Sequence, residues 1–312
     1  MTSLAQSLPA RLSTRAVGIA LAFATAVVSG VAVYVNARGV THFDDATVYT
    51  TAKNAVAGVF LLLLALPVIG APRRAARPTT GRQRLGLVAL ATIGGSVPFV
   101  LFFEGLSRAS ATQAAFIHKT LVVWVALLAV PLLRERLGPA HVLAIALVVG
   151  GQAWLAGGPG TVAFGSGEAM ILAATLLWAV EVVLVKRLVV GLEARTLAAA
   201  RMALGAVLLI AWLAVSGRGG NLLALTASQW GWAVLTGLLL TAYVATWYAA
   251  LARAQAVDVT AVLVFGAVVT AVLSGAADGL PLDAFGLALV TVGVAVAAVA
   301  SLRQPVARGA PS

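Results

Sequence analysis

The sequence predicts an all-α membrane protein with ten transmembrane helices, arranged as two inverted five-helix repeats. Three observations predict this fold. First, 61% of the 312 residues are hydrophobic and only 10% are charged, too few to cover the surface of a soluble domain. Second, the apolar residues form repeated runs of about 20, the length that crosses roughly 30 Å of hydrocarbon. Third, one short motif occurs twice.

The predicted spans are helices because lipid offers backbone groups no hydrogen-bond partners. The runs are too long and continuous for the alternating strands of a membrane barrel. The expected spans cover residues 16–35, 46–69, 85–107, 110–132, 139–157, 168–188, 195–216, 230–252, 257–276 and 283–301. They divide the chain into a cytoplasmic N-terminal tail (1–15), a first repeat (16–157), an outer linker (158–167), a second repeat (168–301) and a cytoplasmic C-terminal tail (302–312).

Membrane topology explains the net charge of +11. With the N-terminus in the cytoplasm, 15 Lys and Arg residues outside the spans or at their ends lie on the inner side and only Arg38, Arg108 and Arg218 on the outer side. This positive-inside bias predicts an even number of spans with both termini in the cytoplasm. Because the basic residues do not gather on one soluble face, no nucleic-acid partner is expected.

The duplicated motif predicts inversion as well as repetition. FFEGLSRASA recurs 145 residues later as WYAALARAQA, and both copies share an L-x-R-A-x-A pattern that begins at Leu106 and Leu251. An offset of 145 residues covers five spans, an odd number, so the second copy enters the membrane in the opposite orientation. Arg108 then lies outside and Arg253 inside. Inverted repeats with a site near the midplane are typical of secondary transporters.

At these residues the sequence resembles the EamA branch of the drug/metabolite transporter superfamily. The shared features are the two motif copies, a basic residue early in the second span (Lys53) and an acidic residue after the fourth (Glu135). The resemblance covers roughly residues 16–301. It implies a ten-helix fold and export of amino acids or other small metabolites across the bacterial inner membrane. The family often has a proline in the middle of its fourth helix, where this chain reads AAFIHKTLVVW, and this departure puts the usual helix break in question.

Ionisable residues inside spans are costly, so they are the best site candidates. Lys119, deep in span four, is interpreted as a cation that receives a carboxylate, or else as the partner of Glu104 or Glu181 in a buried ion pair. His118 projects about 100° away from it and is either a proton relay or a packing residue. Glu181 either binds substrate or a proton, or pairs with Arg201 or Lys119.

Four further residues complete the candidate site. Lys53 and Arg201 occupy matching places in spans two and seven and act either as gates near the two mouths or as cations that snorkel to the interface. Trp178 lies one turn before Glu181, and Tyr243 belongs to a polar and aromatic stretch of span eight that lines a cavity or forms an interfacial belt. The stretch GGSVP at 94–98 predicts a bent or loosened third helix.

No enzyme signature is present. The chain has no cysteine, which excludes disulfides and thiolate chemistry, and it contains no nucleotide-binding glycine loop, metal-ligand cluster or catalytic triad. We expect no cofactor and no metal. The predicted partners are the lipid bilayer, a small-molecule substrate and, as a coupling ion, protons. Efflux of cationic or aromatic drugs around Glu181 and Trp178 is the alternative function, and a non-transporting membrane scaffold is the third.

Overall fold

The computed structural model describes residues 13–66, 80–109, 111–158, 164–279 and 281–303. Every regular element in these ranges is a helix, and nine helical segments are long and apolar enough to cross a membrane. A tenth apolar helix, Pro139–Leu155, is shorter. The chain is therefore a multi-pass membrane protein. Most of the two predicted tails and half of the predicted linker lie outside the described residues.

In the first half of the chain, the third and fourth spans are each divided into two shorter helices. The helices are α1 (Thr14–Gly39), α2 (Ala46–Ala65), α3 (Gly81–Leu90), α4 (Val97–Leu106), α5 (Ala111–Lys119), α6 (Leu121–Leu133) and α7 (Pro139–Leu155). A short 3₁₀ turn, Val40–His42, follows α1, and a π-helical turn, Ala91–Ser96, joins α3 to α4. This turn is the loosened segment that GGSVP predicts, and Pro98 is the second residue of the helix that follows it.

The second half has the same order of long helices with one short addition. The helices are α8 (Ser166–Leu188), α9 (Ala194–Val215), α10 (Gly219–Leu223), α11 (Ala227–Leu251), α12 (Ala256–Leu263), α13 (Gly266–Asp278) and α14 (Ala284–Arg303). Side-chain caps define several starts: Asp45 accepts the backbone N–H groups of Thr47 and Val48, and Thr226 with Gln229 forms a capping box at α11.

The fourth span is broken although it lacks the expected proline. Helix α5 ends at Lys119 and α6 begins at Leu121, with Thr120 as a turn between them. The ninth span breaks at the matching place, between α12 and α13. The helix break that the missing proline put in question is therefore present. At the first joint the N–H of Thr120 lies 3.2 Å from the carbonyl of Phe116 and 3.1 Å from that of Ile117, which tightens the last turn of α5.

Helices of one half pack mainly on helices of the other. Helix α1 of the first half packs on α11 of the second, and the corresponding helix α8 of the second half packs on α4 of the first, as a twofold arrangement would require. Three further pairs between the halves are α2 with α9, α7 with α14 and α6 with α12. Small residues allow close approach, for example Gly151 against Gly286. Large apolar side chains such as Val207 and Leu85 face outward, as a surface covered by lipid requires.

Candidate functional site

Glu181 and Arg201 form a buried ion pair between α8 and α9. Arg201 Nε lies 2.6 Å from Glu181 Oε1, and Arg201 Nη2 donates to Oε2 at 3.2 Å. The hydroxyl of Tyr248 on α11 donates to Oε1 at 2.7 Å. All three side chains are almost completely buried. Of the two roles open to Glu181 in the sequence, pairing with Arg201 is the one this conformation contains.

Glycines of the third span bring its π-helical turn against this pair. A Cβ atom at Gly94 would lie 2.5 Å from the Glu181 carboxyl carbon, and one at Gly95 would lie 2.1 Å from the Arg201 carbonyl oxygen. Gly205, one turn after Arg201, meets the Gly95 backbone from the other side. The GGSVP stretch therefore has a second role that the sequence did not indicate: it lets the backbone reach the ion pair.

Lys53 is the buried cation of α2, and it has a different set of neighbours. Its Nζ donates to Asn36 Oδ1 at 3.0 Å, and the Tyr49 hydroxyl donates to the same oxygen at 2.5 Å. Lys53 Nζ also lies 4.4 Å from the Phe103 ring centroid and 4.9 Å from that of Tyr49, within cation–π range. Lys53 is 5% exposed, so it does not snorkel to the interface. No described carboxylate forms a salt bridge with it.

Lys119 lies at the break of the fourth span, beside a small pocket. His118, Val122, Thr260 and Val264 also line this pocket, so it lies where the two broken spans meet. Within the described part of the chain Lys119 forms neither a hydrogen bond nor an ion pair. The predicted alternatives, pairing with Glu104 or with Glu181, are not the contacts seen: Glu104 pairs with Arg108 and Arg218, and Glu181 pairs with Arg201.

His118 belongs to an aromatic cluster with Trp178, Phe102 and Phe99. The His118 ring centroid lies 4.9 Å from that of Trp178 and 5.4 Å from that of Phe102, both near edge-on. Phe99 also contacts Trp178 and lies under the Arg201 guanidinium, 5.6 Å away. Trp178 donates its indole N–H to the Gly94 carbonyl. The cluster thus joins the Lys119 pocket to the ion pair.

Tyr243 lies on α11 and stacks on Trp247, with ring centroids 6.1 Å apart. Trp247 is only 5% exposed, which does not fit the interfacial belt considered for this stretch. Tyr248, one residue further, is the member of the stretch that contacts the ion pair directly.

A second polar cluster, which the sequence reasoning missed, surrounds the start of α12. Glu135, just after α6, accepts the backbone N–H groups of Ala256 at 2.6 Å and Val257 at 3.1 Å. Nearby, Asp258 is fully buried and lies 3.2 Å from His141. Burial raises the pKa of Glu135, and the two N–H groups partly offset that rise. The signal was available, since Asp258 is a carboxylate inside the predicted ninth span.

Lys186 connects that cluster to the repeated motif. Its Nζ donates to the carbonyl of Leu251 at 3.0 Å and to that of Ala254 at 2.8 Å, both within the second L-x-R-A-x-A copy. The junction between the eighth and ninth spans is therefore held by side chains from the fourth-span end and the sixth span.

Comparison with known proteins agrees with this architecture. The model of the EamA-like transporter family matches the chain twice, over residues 16–157 and 165–302. The chain belongs to the EamA-like transporter family. A search of curated protein sequences finds no match. A solved structure, described only as the crystal structure of a protein, matches this EamA-like protein with a TM-score of 0.72 at 18% identity, over 93% of this chain and 100% of its own. At that identity the likeness concerns the fold alone.

Family membership supports a transporter that lies in the lipid bilayer. It assigns no role to any one residue of this EamA-like protein. Lys53, His118, Lys119, Trp178, Glu181, Arg201 and Tyr243 stay predicted site residues. In the structure the Phe99 and Phe102 rings contact Trp178, Phe102 also contacts His118, and Phe99 lies near Arg201, the partner of Glu181. Lys119 follows His118 in the sequence, and Lys53 lies over the Phe103 ring.

Proposed function

We propose that this protein is a secondary active transporter that exports small metabolites, most readily amino acids or organic anions, by alternating access. Two halves of five spans each, inverted relative to one another, would rock about a site near the midplane. Most helix–helix contacts join one half to the other. This packing supports the proposal, because the interface between the halves is the one that alternating access would rearrange.

The proposed topology has ten spans, with α7 as the fifth, and both termini in the cytoplasm of a bacterial cell. Supporting it, the basic residues outside the spans lie overwhelmingly on the side assigned to the cytoplasm. Arg108 and Arg253, the matching arginines of the two motif copies, fall on opposite sides in this assignment.

The observation that carries the substrate assignment is the position of Lys119. A lysine without an acidic partner in the described structure, beside a water-sized pocket between two broken spans, would suit the carboxylate of an amino acid or organic anion once the pocket opens. Thr260 on the facing helix adds a hydroxyl to the same pocket. Glu181 and His118 are the proposed proton-coupling residues. Protonation of Glu181 would remove the negative charge that neutralises Arg201, so it would loosen the contact of α8 with α9.

The drug-efflux alternative gains less support. A carboxylate that binds a cationic drug must have free oxygens, but Glu181 Oε2 already accepts from Arg201, and Oε1 accepts from Tyr248 and lies 2.6 Å from Arg201 Nε. A scaffold function would not require Lys119 to lie in a pocket.

Transport by the purified protein tests the proposal. Proteoliposomes would be loaded with a panel of labelled amino acids and carboxylates, chosen by comparing the metabolites of cells that lack and that overproduce the protein. We expect flux of at least one of these anions, at least tenfold reduced by Lys119→Ala and largely kept by Lys119→Arg. Normal flux in Lys119→Ala, or flux only of cationic compounds, would contradict the proposed site.

A further inference from the structure

The two halves contain corresponding buried clusters, each built around a cation. In the frame of the repeated motif, an offset of 145 residues relates Asn36 to Glu181 and Phe103 to Tyr248. The two cations also correspond: Lys53 is the eighth residue of α2, and Arg201 is the eighth residue of α9. The first cluster lies on α1, α2 and α4 and the second on the corresponding helices α8, α9 and α11, and α2 packs on α4 as α9 packs on α11, so both clusters form at equivalent places in the fold.

The contacts within the two clusters are parallel. Arg201 and a tyrosine hydroxyl both reach one oxygen of Glu181. Lys53 and a tyrosine hydroxyl both reach one oxygen of Asn36. The hydroxyl comes from Tyr49 in the first cluster, since Phe103 stands where the second has Tyr248. Each cluster therefore directs a cation and a hydroxyl at a single oxygen.

The clusters differ in charge. Glu181 neutralises Arg201, whereas the amide of Asn36 cannot neutralise Lys53. Other polar groups of α2 also lack partners: the Thr50 hydroxyl and both amide atoms of Asn54 are fully buried and form no hydrogen bond in the described structure. Thr50 precedes Lys53 by three residues and shares its side of the helix. Buried polar groups without partners point to a bound molecule or ion.

We propose that Lys53 is the centre of a second anion site, which takes a small carboxylate in the place that Glu181 fills in the other half. Asn36 holds Lys53 while the site is empty, and the ligand's carboxylate replaces that amide oxygen as the acceptor of the Lys53 ammonium and the Tyr49 hydroxyl. The Glu181–Arg201 cluster, whose carboxylate is built in, binds no anion. This inference shares with the proposed function only the premise that organic anions enter the protein.

Acetate binding to the purified protein tests the site apart from transport. The measurement uses Lys119→Met protein in detergent micelles, so that the Lys119 pocket cannot contribute. Unfolding is followed by tryptophan fluorescence at constant ionic strength. We expect acetate to raise the Tm saturably and acetamide, its neutral isostere, to have no effect, because a ligand that binds only the folded state stabilises it.

Two variants in that background decide the assignment. Asn36→Asp supplies the missing carboxylate with almost no change in shape, so the Tm without acetate should rise and acetate should add nothing. Lys53→Met should also abolish the response, and Lys53→Arg should keep it. If the Lys53→Met protein does not fold, Asn36→Asp still decides, with Asn36→Gln as its uncharged control.

The outcomes are separable from those of the transport experiment. No acetate response in the Lys119→Met protein would overturn the second site, and so would an undiminished response in Asn36→Asp. A response that disappears with Lys53 supports the site even if Lys119 proves irrelevant to flux. If Lys119→Ala abolishes flux but acetate does not bind at Lys53, the proposed function is supported and the second anion site is contradicted.

Discussion

The buried pair of Glu181 and Arg201 allows a quantitative test of what holds α8, α9 and α11 together. The perturbations are Glu181→Gln, Arg201→Met and the double variant. Glutamine keeps an oxygen that can accept from Tyr248, so the single change removes the charge rather than the hydrogen bond. Methionine keeps the apolar stem of the arginine without its guanidinium.

The structure sets the expected magnitude. The charged atoms are about 3 Å apart, and at an effective dielectric constant near 20 their attraction is about 5 kcal/mol. Both side chains are buried, so each single change leaves an uncompensated charge, which costs about 3–5 kcal/mol. The double variant buries no unpaired charge, so it should differ from the parent by no more than about 1–2 kcal/mol in either direction.

The assay is reversible unfolding in mixed micelles, titrated with a denaturing detergent and followed by tryptophan fluorescence, with the pairwise coupling taken from the double-mutant cycle. We expect a coupling of at least about 3 kcal/mol. Lys119→Met serves as a control, since Lys119 has no partner in the described structure. Single variants as stable as the parent, or a double variant no better than the worse single one, would refute this account of the pair.

Three further predictions concern other parts of the molecule. Glu135→Ala removes the acceptor of two backbone N–H groups at the start of α12, which should lower the free energy of unfolding by about 2–4 kcal/mol. Glu135→Gln should lower it by less. Equal free energies of unfolding for the two variants in the same detergent titration would contradict the capping role. Gly95→Ala places a Cβ atom against the Arg201 carbonyl and should prevent correct folding, so that the protein no longer elutes as a single monodisperse peak in size-exclusion chromatography. Gly150→Ala, with open space around it, should leave the stability of the protein unchanged or slightly higher. Because the chain has no cysteine, single cysteines introduced by Ser107→Cys and Ala252→Cys can be labelled specifically at matching exposed positions. A membrane-impermeant maleimide should reach the first cysteine only from the periplasmic side and the second only from the cytoplasmic side. Labelling of both from the same side would disprove inversion.

Much of the fold was predictable because lipid leaves the chain few choices. Runs of about 20 apolar residues placed the spans, and GGSVP indicated the loosened third helix. The break at Thr120 was not predictable from the familiar signal, since no proline removes a backbone donor there. At this joint the Thr120 N–H bonds the carbonyls of both Phe116 and Ile117, and the Thr120 hydroxyl bonds the Ile117 carbonyl, contacts that no motif in the sequence announces.

The candidate site was predictable in its members but not in its contacts. Intramembrane charge identified Lys53, Lys119, Glu181 and Arg201 because each is costly in lipid. Which cation pairs with Glu181 depends on how α8 and α9 are rotated against each other, and sequence spacing does not determine that rotation. Asp258 escaped notice because it lies at the start of an apolar run, although its burial makes it as informative as the others.

The joints at Thr120 and Val264 have a mechanical consequence because neither contains proline. A proline joint is permanently missing one backbone donor and cannot become regular helix. Here each residue of the two joints keeps its backbone N–H, and the N–H groups of Thr120, Val264 and Phe265 are bonded to carbonyls three or four residues back. Neither span therefore lacks, at its joint, the backbone donor that a continuous helix would need.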